Sequence, residues 1–336
     1  MKRLRLLVSI IFSVSSIVPL VLYSMTTEKA RLDSALETKR ENMQGDPLLP
    51  LVLVHGLEQR GKDMASTKVI IEDLLPGIQV FTPDLGISYG FASEESQAQQ
   101  LAQYINSISD LKDGCNVVGY SNGGIVVRVA VEKGTIPAVF LGTIASPHRG
   151  VADVPGKRKE SVVVEKIVDG LVDVVEEVEK IIPGSPSSVV ELWHNPEEED
   201  EYLKDNAFLP LYNNETPHKN SEKFKHNLSS VPFVCLGGTN DTTVNPWQST
   251  IWGYWDKKRT RIVPIEESPI YKALGLDENL ECKTFEGQDH GSIRRYSVAL
   301  KYLVSHFKHR SEVPEKEGKV YEEVEEPLWR RCLCCK

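Results

Sequence analysis

The sequence predicts an α/β fold with a mostly parallel central sheet and a partly helical insertion. Three observations lead there. Short apolar runs alternate with helix-like segments along most of the chain, the order that builds βαβ units. The runs are continuous, as in Leu51-Val52-Leu53-Val54, which is how strands covered on both faces read. One run, ending in "VVGYSNGG" at residues 117–124, passes straight into a helical pattern with a serine among glycines at the junction.

Taken in order, residues 1–25 open with Lys2, Arg3 and Arg5 and continue as an apolar run from Leu6 to Tyr23. This pattern fits a secretory leader or an uncleaved signal anchor, and both place the body of the protein in a secretory lumen or outside the cell. Residues 26–46 are polar and charged and read as a spacer. The body, residues 47–310, contains six strand-like runs: 49–56, 78–86, 115–121, the start of 138–150, 231–241 and, more weakly, 281–291. Residues 94–109, 122–133 and 292–309 have helical spacing. The rhythm breaks at about 151–230. There Val164, Ile167, Val168, Leu171, Val175, Val178 and Ile182 give one apolar and one acidic helix face, ended by Pro183 and Gly184. Such an insertion packs on the core or caps a site at the sheet's carboxyl edge, where spare apolar surface suits a fatty chain. Residues 311–336 form a charged tail containing Cys332, Cys334 and Cys335.

Composition narrows the function. Forty percent hydrophobic residues indicate a globular chain. A net charge of −9 argues against nucleic acid as a partner, because phosphate binding needs a basic face. Neither paired CxxC motifs nor HExxH occur, so no metal site is expected, and the chemistry below needs no cofactor. The six cysteines suit an oxidising compartment without proving disulfides. Cys115, Cys235 and Cys282 lie in or beside strand-like runs and read as small buried hydrophobes. Sequons at Asn214, Asn227 and Asn240 are open to glycosylation if the chain enters the lumen.

The chemistry centres on Ser121. In Gly-x-Ser-x-Gly the serine occupies a tight strand-to-helix turn that pushes its hydroxyl above the sheet edge, and the glycines avoid collisions that a Cβ would cause. A hydroxyl of this kind needs a general base and an orienting acid, which in such folds follow the serine in the order acid, then histidine. Of eight histidines, His290 in "EGQDHGSI" lies between the last strand-like run and the last helix, where the base belongs. Asp241 directly follows the fifth run; Asp256 and Asp289 are its rivals. The oxyanion donors should be the backbone N–H groups of Leu57, on the loop after the first strand, and Asn122.

Beyond the serine motif, "LPLVLVHG", "ELWHNPEEEDEYLKDNAFLPLYNNE", "GGTNDTTVNPWQSTIWGYWD" and "EGQDHGS" together resemble the palmitoyl-protein thioesterases over about Leu49 to Phe307. The resemblance implies an α/β-hydrolase with an inserted lipid-binding subdomain. It also implies hydrolysis of fatty-acyl thioesters on cysteine of proteins or peptides, typically in lysosomes, with Ser121, Asp241 and His290 as the triad. Asn122 stands where the family often has Gln, and "ASPHRGV" after the fourth strand is nearer to other branches of the family or to general lipases, which leaves acyl preference and the exact branch open. A lipase or carboxylesterase would use the same triad on oxygen esters, and a non-catalytic lipid-binding protein would keep the fold alone. A membrane contact follows if the N-terminal apolar segment is retained.

Overall fold

The structure, a computed structural model, describes residues 27–42, 45–85, 92–152 and 188–312. The N-terminal apolar segment, the valine-rich stretch at 160–182 and Cys332, Cys334 and Cys335 lie outside the described residues. All six strand-like runs form strands of one sheet. They are β1 (Leu51–Val54), β2 (Val80–Phe81), β3 (Cys115–Tyr120), β4 (Ala138–Ile144), β5 (Phe233–Gly238) and, after a small separate hairpin, β8 (Leu280–Phe285). The order across the sheet is β2-β1-β3-β4-β5-β8 and every pairing is parallel. The hairpin, β6 (Tyr254–Trp255) with β7 (Ile262–Val263), is antiparallel and was not legible in the sequence.

The sheet sits between two helical layers, and the alternation of side chains explains the unbroken apolar runs. Val52, Val54, Val117 and Leu141 face one core with Leu101 and Ile105 of α3 (Glu94–Ser107) and Ile125 and Val129 of α4 (Asn122–Lys133). Leu51, Leu53, Val118 and Phe140 face the other with Ile71 of α2 (Ala65–Leu74) and Leu300 and Leu303 of a C-terminal helix, Ser297–Val304. Cutting one such buried leucine to alanine costs about 2–5 kcal/mol. β8 is different. It is the last strand of the sheet, most of its residues are half-buried or exposed, and its sequence signal is correspondingly weak. Cys282 on it is exposed, whereas Cys115 and Cys235 are buried as expected.

The stretch expected to be a polar spacer is packed structure over most of its length: residues 27–42 form a helix, α1, that buries Leu32 and Leu36. Two leucines one turn apart make an apolar stripe too sparse to stand out among charges. Lys301 binds Asp33, Lys39 Nζ donates to the Ser305 carbonyl and Arg40 Nε to the Leu74 carbonyl, anchoring α1 to α2 and the C-terminal helix.

The described part of the insertion, residues 188–230, folds as short helices against α3 and α4. Asn227 Nδ2 donates to the Glu132 carbonyl at 2.8 Å. Arg128, fully buried, donates to Asn213 Oδ1 at 3.0 Å and lies 4.9 Å over the Trp252 ring. A bridge between Val151 and Trp193 ties the insertion to the chain leaving β4. Asn214 Nδ2 donates to the Ser221 and Ala273 carbonyls, so Asn214 and Asn227 both use the nitrogen a glycan would need. Asn240 is exposed.

Candidate active site

Three parallel strands deliver the site at their carboxyl ends. β3 ends at Ser121, whose φ of 54° and ψ of −127° place a non-glycine residue in a region L side chains rarely occupy. The surroundings enforce this turn. Ser121 N–H donates to the Ile144 carbonyl at 2.8 Å, continuing the pairing with β4. A Cβ on Gly119 would lie 2.2 Å from the Gly123 carbonyl oxygen, and one on Gly123 would lie 2.2 Å from the His55 carbonyl oxygen. Only glycine at both positions lets α4 start so close to β1 and β3, which answers why the serine is flanked as it is.

β5 leads to Asp241 and β8 leads to His290. The imidazole bridges the other two: Nδ1 lies 2.6 Å from Asp241 Oδ2 and Nε2 lies 3.0 Å from Ser121 Oγ. The second carboxylate oxygen, Oδ1, accepts from the backbone N–H of Thr243 (2.8 Å) and Val244 (3.0 Å), so the acid is oriented from behind. The Asp241 side chain is fully buried while the imidazole keeps 15% exposure, enough for solvent to reach it. This arrangement assigns Nδ1–H to the acid and leaves the Nε2 lone pair for the serine proton. Tyr120 supports the loop from below. Its hydroxyl donates to the His290 carbonyl at 3.1 Å, and burial pushes its own pKa up to about 12, so it stays a neutral donor.

The rival acids have other employment. Asp289 caps the helical turn that begins at His290, accepting from Ser292 N–H at 2.7 Å. Asp256 accepts from Thr260 N–H and hydroxyl in an exposed turn. Several other histidines are likewise committed: His194 is held between the Arg149 carbonyl and Glu199, His218 binds Asn214, and His309 binds the Asp46 carbonyl. His55 locks the loop after β1, with Nδ1–H donating to the Gly56 carbonyl and Nε2 accepting from Leu85 N–H. That loop passes over the serine: a Cβ on Gly56 would be 3.1 Å from Ser121 Cβ, and Leu57 follows immediately. Asn122 is the first residue of α4, where backbone N–H groups have no partner within the helix.

A buried polar layer behind Asn122 was missed in the sequence. Asn122 Nδ2 donates to Gln97 Oε1 at 3.4 Å, and Gln97 Nε2 donates to Ser188 Oγ at 2.8 Å. Glu94 is fully buried beside them; burial and then neighbouring Glu191 raise its pKa well above the usual carboxylate range. Glu191 Oε2 accepts from Glu94 N–H at 2.7 Å, and burial lifts Glu191 to about 7. A signal existed: Glu94 occupies the same stripe of α3 as Ala98, Leu101, Ala102 and Ile105, a core face with an acid on it. Likewise His194 and Asn213, in motifs that carry the family resemblance, prove to hold the insertion onto the β4 exit, since Asn213 Nδ2 donates to the His148 carbonyl at 3.2 Å.

A serine on a strained strand-to-helix turn, followed along the chain by an acid and then a histidine on later strand ends, marks the α/β-hydrolase class of serine hydrolases. Residues 50–290, from β1 to the bridging histidine itself, match the sequence profile described as palmitoyl protein thioesterase. The chain belongs to the palmitoyl protein thioesterase family. It is similar to the lysosomal thioesterase PPT2 homolog of Drosophila melanogaster, 32% identical over 225 residues covering 66% of this chain and 76% of that protein. Palmitoyl-protein thioesterase 3 of Dictyostelium discoideum is 29% identical over 235 residues, covering 68% and 78%. Among solved structures, the monoacylglycerol lipase of Paleococcus ferrophilus aligns at 17% identity and a TM-score of 0.42, covering 76% of this chain and 94% of that one.

Proposed function

We propose that this chain hydrolyses fatty-acyl thioesters on cysteine of proteins or peptides, through an acyl intermediate on Ser121. The observation that carries this reading is His290 lying within hydrogen-bond reach of both Ser121 Oγ and Asp241 Oδ2. Neutral His290 takes the serine proton at Nε2 as Oγ attacks the acyl carbonyl, and Asp241 stabilises the imidazolium through Nδ1–H. The developing oxyanion is met by the backbone N–H groups of Asn122 and Leu57. Collapse expels the cysteine sulfur, which takes the proton from His290 and departs as the thiol, leaving the imidazole neutral. His290 then deprotonates water, the hydroxide attacks the acyl-serine, and the fatty acid departs as Oγ recovers its proton.

The thioester as substrate is supported by family membership and by the names of the relatives. A lysosomal or secretory lumen is supported by relatives named lysosomal thioesterases. The hydrolase body, 47–310, with its insertion at about 151–230, then works as one unit. The insertion joins the carboxyl side of β4, the sheet edge that carries Ser121, and so stands where it can cover an acyl chain.

The test is Ser121→Ala assayed on a palmitoyl-cysteine peptide and on an oxygen ester of the same chain length. The variant should keep its melting temperature and lose turnover by about 10⁶-fold. Turnover retained in a folded Ser121→Ala protein refutes the nucleophile. Wild-type preference for the oxygen ester would reassign the chain to the lipases.

A further inference from the structure

A second group of reactive side chains lies on the same strands, away from the serine. Cys235 on β5 and Cys282 on β8 are register partners across the parallel pair. Adjacent strands run about 4.8 Å apart. Disulfides span Cα separations of about 4.4–6.8 Å, so the backbone spacing already suits one. The two residues differ sharply in access: Cys235 is fully buried, whereas Cys282 lies on the exposed edge strand. The Cys282 thiol donates to the Ile251 carbonyl at 3.7 Å.

The Cys235 sulfur is the focus of several donors. The Thr143 hydroxyl donates to it at 3.2 Å. His148 Nε2 is 3.5 Å from the same sulfur and 2.9 Å from Thr143 Oγ1. The His148 ring is itself fully buried and stacked at 4.6 Å on Trp252. Burial alone would raise the Cys235 pKa, but its neighbours Cys282, His148 and Thr143 outweigh it and bring it well below the usual thiol value.

We propose that Cys235 and Cys282 form a reversible disulfide, a redox modification site that ties β8 to β5 and is made and opened by exchange with a low-molecular-weight disulfide and its thiol. In the forward direction the accessible Cys282 sulfur, as thiolate, attacks one sulfur of RSSR and expels RS⁻. The Cys235 sulfur then attacks Cys282 Sγ of the mixed disulfide, closes the Cys235–Cys282 bond and expels the second RS⁻. The two protons of the protein thiols leave with the two RS⁻ as RSH, so RSSR is reduced to two RSH as the protein pair is oxidised. In reverse, an external thiolate attacks the accessible Cys282 sulfur and Cys235 departs into its ring of donors. A stabilised leaving thiolate makes the bond easy to open, the property of a labile disulfide. The tie falls six residues before Asp241 and eight before His290, on the two strands that present them. It fastens the edge strand, which pairs with β5 alone among the described strands.

The experiment equilibrates the folded full chain with a series of reduced and oxidised glutathione ratios. Samples are quenched in acid, alkylated and mapped after trypsin. The expected product is peptide 226–257 joined to peptide 273–283, its fraction rising with the oxidised ratio and vanishing in Cys282→Ser, which keeps its hydrolase activity. Cys282 recovered only as free thiol or glutathione adduct, with no joined peptide at any ratio, overturns the proposal. A second measurement uses Thr143→Val, which removes one donor to the departing sulfur. Each unit gained by that thiol's pKa slows opening by about threefold. An opening rate equal to wild type would show that the donors around Cys235 do not act on its departure.

Discussion

Asp241→Asn separates the acid's electrostatic part from its structural part. Asp241 makes contacts on both sides: Oδ1 accepts two backbone N–H groups, from Thr243 and Val244, and Oδ2 faces His290 Nδ1. Asparagine has the same shape and a choice of two orientations. If its NH₂ turned toward Thr243 and Val244, two donors would face donors. Two hydrogen bonds would be lost, and each unsatisfied buried group costs about 1–3 kcal/mol. The amide therefore keeps its oxygen on the two backbone N–H groups and turns its NH₂ toward His290. A donor now faces Nδ1, so Nδ1 must become the acceptor and Nε2 carries the proton. In that tautomer Nε2 has no lone pair for the Ser121 proton at 3.0 Å. The expected loss in kcat is about 10⁴-fold, equivalent to about 5 kcal/mol of barrier. The assay is single-turnover hydrolysis of a palmitoyl-cysteine peptide alongside thermal unfolding, with little change expected in the latter. A kcat within about tenfold of wild type, in a protein that melts normally, would refute the role of this acid.

Gly123→Ala should lower stability by about 1–3 kcal/mol or more through overpacking and reduce turnover as well, because its Cβ meets the His55 backbone where the two proposed oxyanion donors converge; unfolding and kinetics on the purified variant check both. Leu57→Ala should leave turnover nearly unchanged, since the backbone N–H is the group proposed to act; a hundredfold loss without unfolding would point to the side chain instead. Glu94 and Glu191 have folded-state pKa values above the ordinary 4.5, with Glu191 at about 7. Above 4.5 the folded chain holds more protons than the unfolded one, so the stability they contribute is full below about 4.5 and is lost as pH rises, for Glu191 through about 7. Urea unfolding across that range should show the decline, and Glu94→Gln should flatten it; stability rising over the same interval would contradict the burial argument.

The central sheet and the three site side chains could be read from the chain because each announces itself at a strand end. "VVGYSNGG", "GGTND" and "EGQDHG" all join an apolar run to a polar or glycine-rich turn, and the strand order fixes their convergence. What stayed hidden depended on partners distant in sequence. Asp241 could be preferred to Asp289 by position, but the reason Asp289 is unavailable, its hydrogen bond from Ser292 N–H, exists only in the folded turn. Leu32 and Leu36 look like isolated leucines among charges until α2 and the C-terminal helix provide something to bury them against. Exposure of Cys282 follows from β8 being an edge, which local hydrophobicity cannot reveal. Glu94, by contrast, was readable in principle, as an acid in register with an apolar stripe.

The two ends of the Ser121–His290 hydrogen bond are 169 residues apart, and the histidine follows β8, the last of the described strands to be synthesised. A nascent chain halted between Ser121 and β8 displays the attacking hydroxyl with nothing to ionise it. Hydrolysis on the proposed scheme therefore switches on only once residue 290 has been made, and a truncation between Phe285 and His290 that spares the whole sheet still yields an inert protein.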